Sequence, residues 1–212
     1  MKILDVKALS IPALKVVRFA RFPDQRGYFS EPFRRSDFAA HSETSFLADV
    51  LFVQSNESYS RAGTVRGLHF QWNPFMGKLV RTIHGCMVDV VVDIRLGSPT
   101  FGFALLYEMN SALTQDFAEW IWVPPGFAHG NFFTADTQIE YFCSGEYSPG
   151  CEATISPLAD DVDWSLADTA LKKTFDALVS STPIISDKDR QGARVETWAR
   201  DPRARQFEYG LL

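Results

Sequence analysis

The sequence predicts a mainly β protein with the architecture of a sandwich or a barrel. Short runs of β-branched and aromatic residues recur at spacings of roughly ten residues along the chain. Clusters of Gly, Pro and Ser separate these runs, as at residues 97–99, 124–126 and 148–150. Only two segments show helical character. Many short strands with turn signals between them are typical of β-sandwiches and β-barrels.

The predicted strands lie between residues 15 and 143. They are Lys15–Phe19, Asp49–Asn56, Leu79–Ile83, Met87–Arg95, Phe101–Met109, Glu119–Val123, Gly130–Thr134 and Ile139–Cys143. In Met87–Arg95 the aliphatic residues at positions 88, 90, 92 and 94 share one core-facing side. The other side carries Asp89 and Asp93, whose carboxylates need water, partners or a ligand. We expect His84-Gly85 to form a turn before this strand.

Two helices are predicted. A short one fits Phe33–His41, and the clearer one is Thr169–Ser180, with Asp168 as its N-cap. No repeat or linker divides the chain, so we expect a single domain over residues 1–212. The charged tail from Arg194 to Leu212 has no predicted structure.

Composition narrows the class of protein. Hydrophobic residues make up 46% of the 212, which is enough to form a full core, and the net charge of −5 disfavours nucleic acid as a partner. The three cysteines form no CxxC pair and are odd in number, so a disulfide framework is not expected. The sequence shows neither a signal peptide nor an apolar run of about 18 residues. We therefore expect a cytoplasmic protein with no membrane partner.

The histidines suggest a metal site first. A histidine at a strand start in a small barrel suggests such a site, and His129 is the distant partner available to His69. However, Arg66 and Lys78 lie close to His69 in the sequence, and their charges would oppose a divalent cation. A site without metal is therefore favoured.

In a metal-free site His69 suits the role of a general base, because an ordinary histidine titrates near neutral pH. Its orienting carboxylate could be Asp89, Asp93 or one within SDKD at Ser186–Asp189. Lys78 suits stabilisation of an oxyanion. Taken one at a time, each of these residues fits a packed or solvated position better, so their roles depend on convergence in space.

Other polar residues suit a phosphorylated or aromatic ligand. Tyr141 and Tyr147 could serve as an acid and as a stacking platform. Arg26 and Arg66 each precede a glycine, and arginines on such turns bind diphosphates through their forked donors. A surface ion pair is the alternative for each arginine.

Seven segments follow one another in an order that resembles the dTDP-4-dehydrorhamnose 3,5-epimerase family, over roughly residues 20 to 190. They are Asp24–Phe33, Val53–Gln71 with RGLHFQ, Gly77–Arg81, Val88–Gly102 with DIRLGSPTFG, Val123–Gly130, Glu140–Pro149 and SDKD. The resemblance implies a cupin, that is, a double-stranded β-helix or jelly roll with a few short peripheral helices. It also implies a homodimer whose subunits exchange N-terminal strands.

The resemblance implies an isomerase that acts without cofactor or metal in deoxysugar biosynthesis. Its substrate would be a nucleotide-linked 4-keto-6-deoxy sugar, dTDP-linked, epimerised at carbon 3, carbon 5 or both. A one-centre epimerase acting on another nucleotide sugar is the alternative. A metal-dependent cupin enzyme and a sugar-nucleotide-binding protein without catalysis are two further rivals.

Site roles also follow from the resemblance. The implied catalytic residues are His69 as base, Asp189 as its orienting carboxylate, Lys78 beside the enolate oxygen and Tyr141 as proton donor on the opposite face. The implied substrate-binding residues are Arg26, Glu31, Gln54, Asn56, Arg66, Asp89, His129 and Tyr147. Asp89 is expected to orient His129, and the segment with Arg26 and Glu31 is expected to reach the nucleotide.

Three features depart from the family pattern. The loop between His69 and Lys78 is about one residue short and carries Phe75-Met76 in place of a polar stretch. Asn131 stands where Phe often follows GFAHG. About ten additional residues lie between Trp164 and Ser186, so a helical insertion is expected near residues 166–183. We expect these features to bear on which sugar is bound.

Overall fold

The computed structural model describes residues 1–211, and within them the chain forms twelve β-strands and four α-helices. The strands are β1 Ile3–Ala8, β2 Lys15–Ala20, β3 Phe22–Asp24, β4 Gly27–Phe29, β5 Gln54–Ser60, β6 Val65–Gln71, β7 Lys78–Asp93, β8 Ala104–Ser111, β9 Phe117–Val123, β10 Phe127–Phe133, β11 Thr137–Cys143 and β12 Glu152–Thr154. The helices are α1 Arg35–Ala40, α2 Thr169–Ser180, α3 Asp187–Arg190 and α4 Val195–Ala199, with 3₁₀ helices at Ser42–Leu47 and Pro202–Phe207.

Ten of the strands form one continuous antiparallel sheet that folds into two facing layers. The first layer has the order β1-β2-β9-β7-β11-β5, and the second has the order β8-β7-β10-β6-β12. β3 and β4 form a separate hairpin. Two antiparallel layers that share a long strand form a jelly roll, and the mainly β prediction is confirmed.

The prediction of a turn at His84-Gly85 is wrong, because β7 runs through this point without reversing. Before Gly85 the strand pairs with β9 and β11, and from Gly85 onward it pairs with β8 and β10. Gly85 has a φ of +89°, and a Cβ there would lie 2.5 Å from the carbonyl oxygen of Asp136. The glycine therefore marks where the strand passes from one layer to the other.

Both sides of the second half of β7 are buried. Val88, Val90 and Val92 pack beneath α2 and the C-terminal tail, while Met87 and Val91 pack between the two layers. Neither side is therefore open to solvent. Both aspartates on the inner side have protein partners, although Oδ2 of Asp89 has no hydrogen-bond partner among the described residues.

Helix α2 has the predicted bounds and the predicted cap. The Asp168 carboxylate accepts the backbone N–H groups of Ala170 and Leu171 at 2.8 and 3.0 Å. Phe175 packs against Phe132 of β10, with ring centroids 5.3 Å apart. The helix thus covers the outer side of the second layer. Helix α1 lies within the segment predicted to be helical near residue 33.

The C-terminal tail, for which no structure was predicted, completes the core. The Trp198 ring lies 4.6 Å from that of Phe70, and the Phe207 ring lies 5.3 Å from that of Phe75. The short loop after β6 is therefore anchored on the tail. No helix within residues 1–211 combines the length and apolarity that a bilayer crossing requires.

Candidate active site

A cleft with two lobes opens between the layers. The larger lobe has a volume of about 730 Å³ and the smaller one about 430 Å³. His69, Lys78 and Tyr141 line both lobes, so these three side chains stand where the lobes meet. The convergence expected of these residues is therefore present.

Strand pairing accounts for the convergence. His69 of β6 is paired with His129 of β10, and Lys78, the first residue of β7, is paired with Cys143 of β11. Tyr141 precedes Cys143 by two residues and shares its side of the strand. β11 pairs directly with β7 in one layer, and β6 is joined to β7 through β10 in the other. Because β7 belongs to both layers, it brings the groups to one place.

Gly67 allows β6 and β10 to approach closely at the site. Its φ is +105°, and a Cβ at this position would lie 2.6 Å from the Cα atom of Gly130. That separation is too short for any side chain, so the RGLHF segment needs glycine here.

Asp189 is the carboxylate that orients His69. Its Oδ1 atom lies 2.6 Å from Nε2 of His69, and Oδ2 accepts the backbone N–H of Gly67 at 3.2 Å. Burial would raise the pKa of Asp189, but hydrogen bonds from His69 and Gly67 and the histidine charge bring it below its ordinary value. An ionised carboxylate only accepts hydrogen bonds, so Nε2 of His69 carries a proton and Nδ1 is the available base.

The other two candidate carboxylates have different partners. Asp93 accepts hydrogen bonds from Arg95, Ser98 and Thr100 at 2.6–2.9 Å, as a buried structural group. Asp89 lies 2.7 Å from Nε2 of His129, as expected for a residue that orients it.

His129 lines the larger lobe in a neutral state. Burial lowers its pKa, although the charge and hydrogen bond of Asp89 act in the opposite direction. Asn131 donates to the same Asp89 oxygen at 2.5 Å, which gives a role to one departure from the family pattern.

Burial also shifts the pKa values of Lys78 and Tyr141. It lowers the pKa of Lys78, against the effect of Cys143, Glu152 and Asp89. It raises the pKa of Tyr141, so the phenol keeps its proton at neutral pH. The site thus offers a base, a cation and a protonated hydroxyl around one point.

Gln54, Asn56 and Tyr147 line the smaller lobe, as expected of binding residues. The Gln54 amide donates to Asn56 Oδ1 at 3.0 Å and accepts the backbone N–H of Tyr147 at 2.8 Å. Met76 also lines this lobe, whereas Phe75 packs against the tail. Of the two residues in the short loop, only Met76 can therefore contact a ligand directly.

Arg66 lines the larger lobe together with Arg61 and Lys188, which makes this lobe the more cationic of the two. The Arg66 guanidinium donates to Ser60 Oγ at 2.9 Å and to the Tyr59 carbonyl at 3.1 Å. It has no carboxylate partner within residues 1–211, so its charge is available to a ligand.

Within one chain, Arg26 and Glu31 do not reach the cleft. Arg26 lies on the β3–β4 hairpin, where its side chain is 90% exposed and pairs with Asp24. Glu31 pairs with the amino terminus and with Arg34. Their expected part in nucleotide binding stays a prediction that requires a second subunit.

Three residues of the cleft were missed by sequence reasoning. Gln71 is buried, and its amide donates to the carbonyls of Pro74 and Glu146. Its oxygen accepts the Ser148 N–H. These bonds connect the two loops beside the smaller lobe. Glu152 belongs to a strand of only three residues, which leaves no periodic signal. Lys188 adjoins Asp189 in SDKD and could have been found there.

Histidine, cysteine and carboxylate side chains do not form any group of three or more that could hold a metal ion in the part of the chain from 1 to 211. His69 and His129, the pair that the sequence offers as metal ligands, each face their own aspartate through Nε2.

A jelly roll with an imidazole, an amine and a phenol around one cleft suits a class of enzymes, the carbohydrate epimerases that move protons beside a ketone. The chain belongs to the dTDP-4-dehydrorhamnose 3,5-epimerase family, whose sequence model matches residues 8–197. It is thus an isomerase.

Individual relatives support membership of this family. The dTDP-4-dehydrorhamnose 3,5-epimerase of Sinorhizobium fredii is 49% identical over 146 residues, which cover 67% of this chain and 70% of the relative. The structure of dTDP-6-deoxy-D-glucose-3,5-epimerase from Legionella pneumophila, in complex with dTDP-4-keto-L-rhamnose, is 30% identical. It superposes with a TM-score of 0.75 over 94% of this chain and 96% of its own.

A one-centre enzyme is also similar. The structure of ChmJ, a 3'-monoepimerase from Streptomyces bikiniensis in complex with dTDP-quinovose, is 27% identical, with a TM-score of 0.68. The match covers 94% of this chain and 90% of that chain.

Proposed function

We propose that the chain epimerises a dTDP-linked 4-keto-6-deoxy sugar, with the sugar ring placed where the two lobes meet. The observation that carries the proposal is the contact of His69 with Asp189 beside Lys78 and Tyr141. The diphosphate would extend into the larger lobe, because Arg66 and Lys188 line it. The complex of the Legionella pneumophila relative with a dTDP-linked keto sugar supports the choice of nucleotide.

The geometry supports the following mechanism. Nδ1 of His69 removes the proton from the carbon next to the ketone, and the electron pair moves to the carbonyl oxygen. The Lys78 ammonium stabilises the resulting enolate oxygen. The Tyr141 hydroxyl then donates its proton to the opposite side of the same carbon. Inversion needs a base and an acid on opposite faces, which are the roles proposed for these two residues.

The second subunit of a homodimer would complete the nucleotide site. The hairpin that carries Arg26 also exposes Phe22, Tyr28 and Phe29, which are costly to leave in water. Docking of this hairpin on a second copy would bury these rings. It would bring Arg26 and Glu31 toward the nucleotide bound by that copy.

A one-centre epimerase is the second candidate, favoured by the similarity to ChmJ. The difference between the candidates lies in which carbon meets His69, and Met76 is the loop residue placed to influence it.

Incubation with dTDP-4-keto-6-deoxyglucose in deuterated water tests the proposal. Deuterium at both carbon 3 and carbon 5 supports a two-centre enzyme, and deuterium at one carbon supports the second candidate. The substitution His69→Ala should slow exchange by more than about 100-fold, the usual effect of removing a general base. No exchange with any dTDP-linked 4-keto sugar would overturn the proposal.

A further inference from the structure

The last part of the C-terminal tail, residues 198–211, lies against the loop that connects β6 to β7. We call it the terminal segment. The family model matches residues 8–197, so the terminal segment belongs to the part of the chain beyond that match. The loop, residues 72–77, carries Phe75 and Met76, which depart from the family pattern. Two segments that the family pattern does not account for are therefore in contact.

The terminal segment is itself firmly held by the sheet. The Leu96 N–H donates to the Phe207 carbonyl at 2.9 Å, and the Tyr209 N–H donates to the Leu96 carbonyl at 2.9 Å. The Asp201 carboxylate accepts the N–H of Arg203 at 2.8 Å, at the start of the 3₁₀ helix that carries Arg203 and Phe207. The Phe207 side chain is fully buried. The segment therefore offers a fixed surface to the loop.

Two side chains of the terminal segment contact the loop. The Phe207 ring meets the Phe75 ring edge to face, with centroids 5.3 Å apart. The Arg203 guanidinium lies 5.0 Å from the centre of the Trp72 ring. Trp72 and Phe75 form an antiparallel bridge with each other, so they are the two sides of a tight turn. The terminal segment thus holds both sides of this turn.

Backbone hydrogen bonds fix the two ends of the loop. At one end, the Trp72 N–H donates to the Cys151 carbonyl at 3.0 Å. At the other end, the Gly77 N–H donates to Ser144 Oγ at 2.7 Å, and the Gly77 carbonyl accepts the Ser144 N–H at 2.9 Å. Between these ends, the packing of the Phe75 ring on the terminal segment determines how the turn is placed.

Met76 is the residue through which the loop reaches the cleft. It lies between Phe75, which packs on Phe207, and Gly77, which is bonded to Ser144. Its side chain lines the smaller lobe, whereas Phe207 lines neither lobe. A methionine side chain is flexible, so its place in the lobe depends on the backbone that carries it. A displacement of Phe75 is therefore passed directly to Met76.

We propose that the terminal segment is a positioning element, with Phe207 as its principal residue, that sets where Met76 stands in the smaller lobe and thereby how tightly the nucleotide sugar binds. Phe207 acts through Phe75 and Met76 without touching the substrate. The effect on binding rests on the proposed function, whereas the position of Met76 can be measured without it.

The direct readout is the NMR signal of the methionine methyl groups, of which the chain has four. The Met76 signal is assigned by its loss in Met76→Leu. Phe207→Leu leaves a gap beside the Phe75 ring, so the Met76 signal should move by more than its linewidth. Phe175→Leu is the matched control, because Phe175 is buried in the same core cluster but packs on Phe132, under α2. The Met76 signal should stay in place in this control.

Kinetics separate positioning from a loss of folded enzyme. Phe207→Leu should raise KM by about threefold or more and change kcat by less than about twofold. A merely structural role would lower kcat and leave KM unchanged. In the Met76→Ala background the same substitution should change KM by less than about 1.5-fold, because the residue through which Phe207 acts is absent.

Arg203→Gln keeps the test decisive if Phe207→Leu does not fold. The Arg203 side chain is half-exposed, so its loss removes the cation over Trp72 without opening the core. The matched control is Arg200→Gln, since Arg200 is an exposed arginine of the same segment that pairs with Glu196. The Met76 signal should move in Arg203→Gln and stay in place in Arg200→Gln.

A Met76 signal that stays in place in the folded variants of Phe207 and Arg203, or that moves as far in the control variants, would overturn the inference. An equal rise in KM with and without Met76 would also overturn it. Absence of deuterium exchange in the wild type would instead overturn the proposed function, and the methyl signals would still decide the role of the terminal segment.

Discussion

Asp189 holds His69 by a contact of 2.6 Å to Nε2 while its other oxygen accepts the N–H of Gly67. Both carboxylate oxygens of Asp189 therefore accept hydrogen bonds. The contact fixes the ring so that Nδ1, the nitrogen free of Asp189, is the base. The tautomer of His69 is thus set by a residue 120 positions away in the sequence.

Asp189→Asn should therefore abolish most activity. The amide has one acceptor oxygen, and if it accepts from Gly67, its NH₂ group faces His69. The proton of the ring then moves to Nδ1, which can no longer act as a base. We expect the exchange rate to fall by about 10²–10⁴-fold. Unchanged binding of dTDP serves as the control, and a loss of less than about tenfold would contradict the assignment.

Gly67→Ala should destabilise the fold more than a matched glycine substitution does. Gly97 also has a positive φ, +78°, but a Cβ there would meet nothing within 4 Å, whereas one at Gly67 would meet Gly130. We expect a loss of about 1 kcal/mol for Gly97→Ala and about 3 kcal/mol or more for Gly67→Ala. Denaturant unfolding measures both, and equal losses would show that the close approach of β6 and β10 is not needed.

His129 should make stability depend on pH. The pKa of His129 is lower in the folded state than its value of about 6.5 in the unfolded chain. At a pH between these two pKa values, His129 is therefore protonated in the unfolded chain and neutral in the folded one. Its contribution is present above pH 6.5 and is lost as the pH falls through the folded pKa. The free energy of unfolding should decline more steeply from about pH 7 to 5 in the wild type than in His129→Gln. Parallel profiles would refute this.

Mixed subunits test whether Arg26 acts on a second copy. Arg26→Ala and His69→Ala protomers would each be deficient alone, but a mixed dimer contains one site with both residues intact. Random re-association of equal amounts should restore about a quarter of the wild-type rate, because half of the dimers are mixed and each has one complete site of two. No recovery after confirmed subunit exchange would place Arg26 outside the partner's site.

Local signals predicted much of the molecule. The Asp168 cap and the aliphatic face predicted α2, since both are short-range features. Gly85 was misjudged because a glycine signals an unusual φ without saying whether the strand reverses. The tail was unplaced because Trp198 packs on Phe70, a partner far away in the sequence, amid charged neighbours.

The site residues could be predicted mainly because the segments that contain them follow one another as they do in a known family. The residues alone left three carboxylates open for His69, and only strand pairing separates Asp189 from Asp89 and Asp93. Glu152 could not be found from the sequence, because its position depends on the pairing of a three-residue strand with β6.

If His69 and Tyr141 act on opposite faces of one carbon, Tyr141→Phe in deuterated water should separate hydrogen exchange from inversion. The variant retains the base and Lys78 but has no phenolic proton to deliver. We predict that substrate carbons still exchange hydrogen for deuterium with their configuration retained, while formation of the inverted sugar falls by about 100-fold or more. Continued inversion at the wild-type rate, or loss of exchange and inversion to the same extent, would show that Tyr141 is not the proton donor on the opposite face.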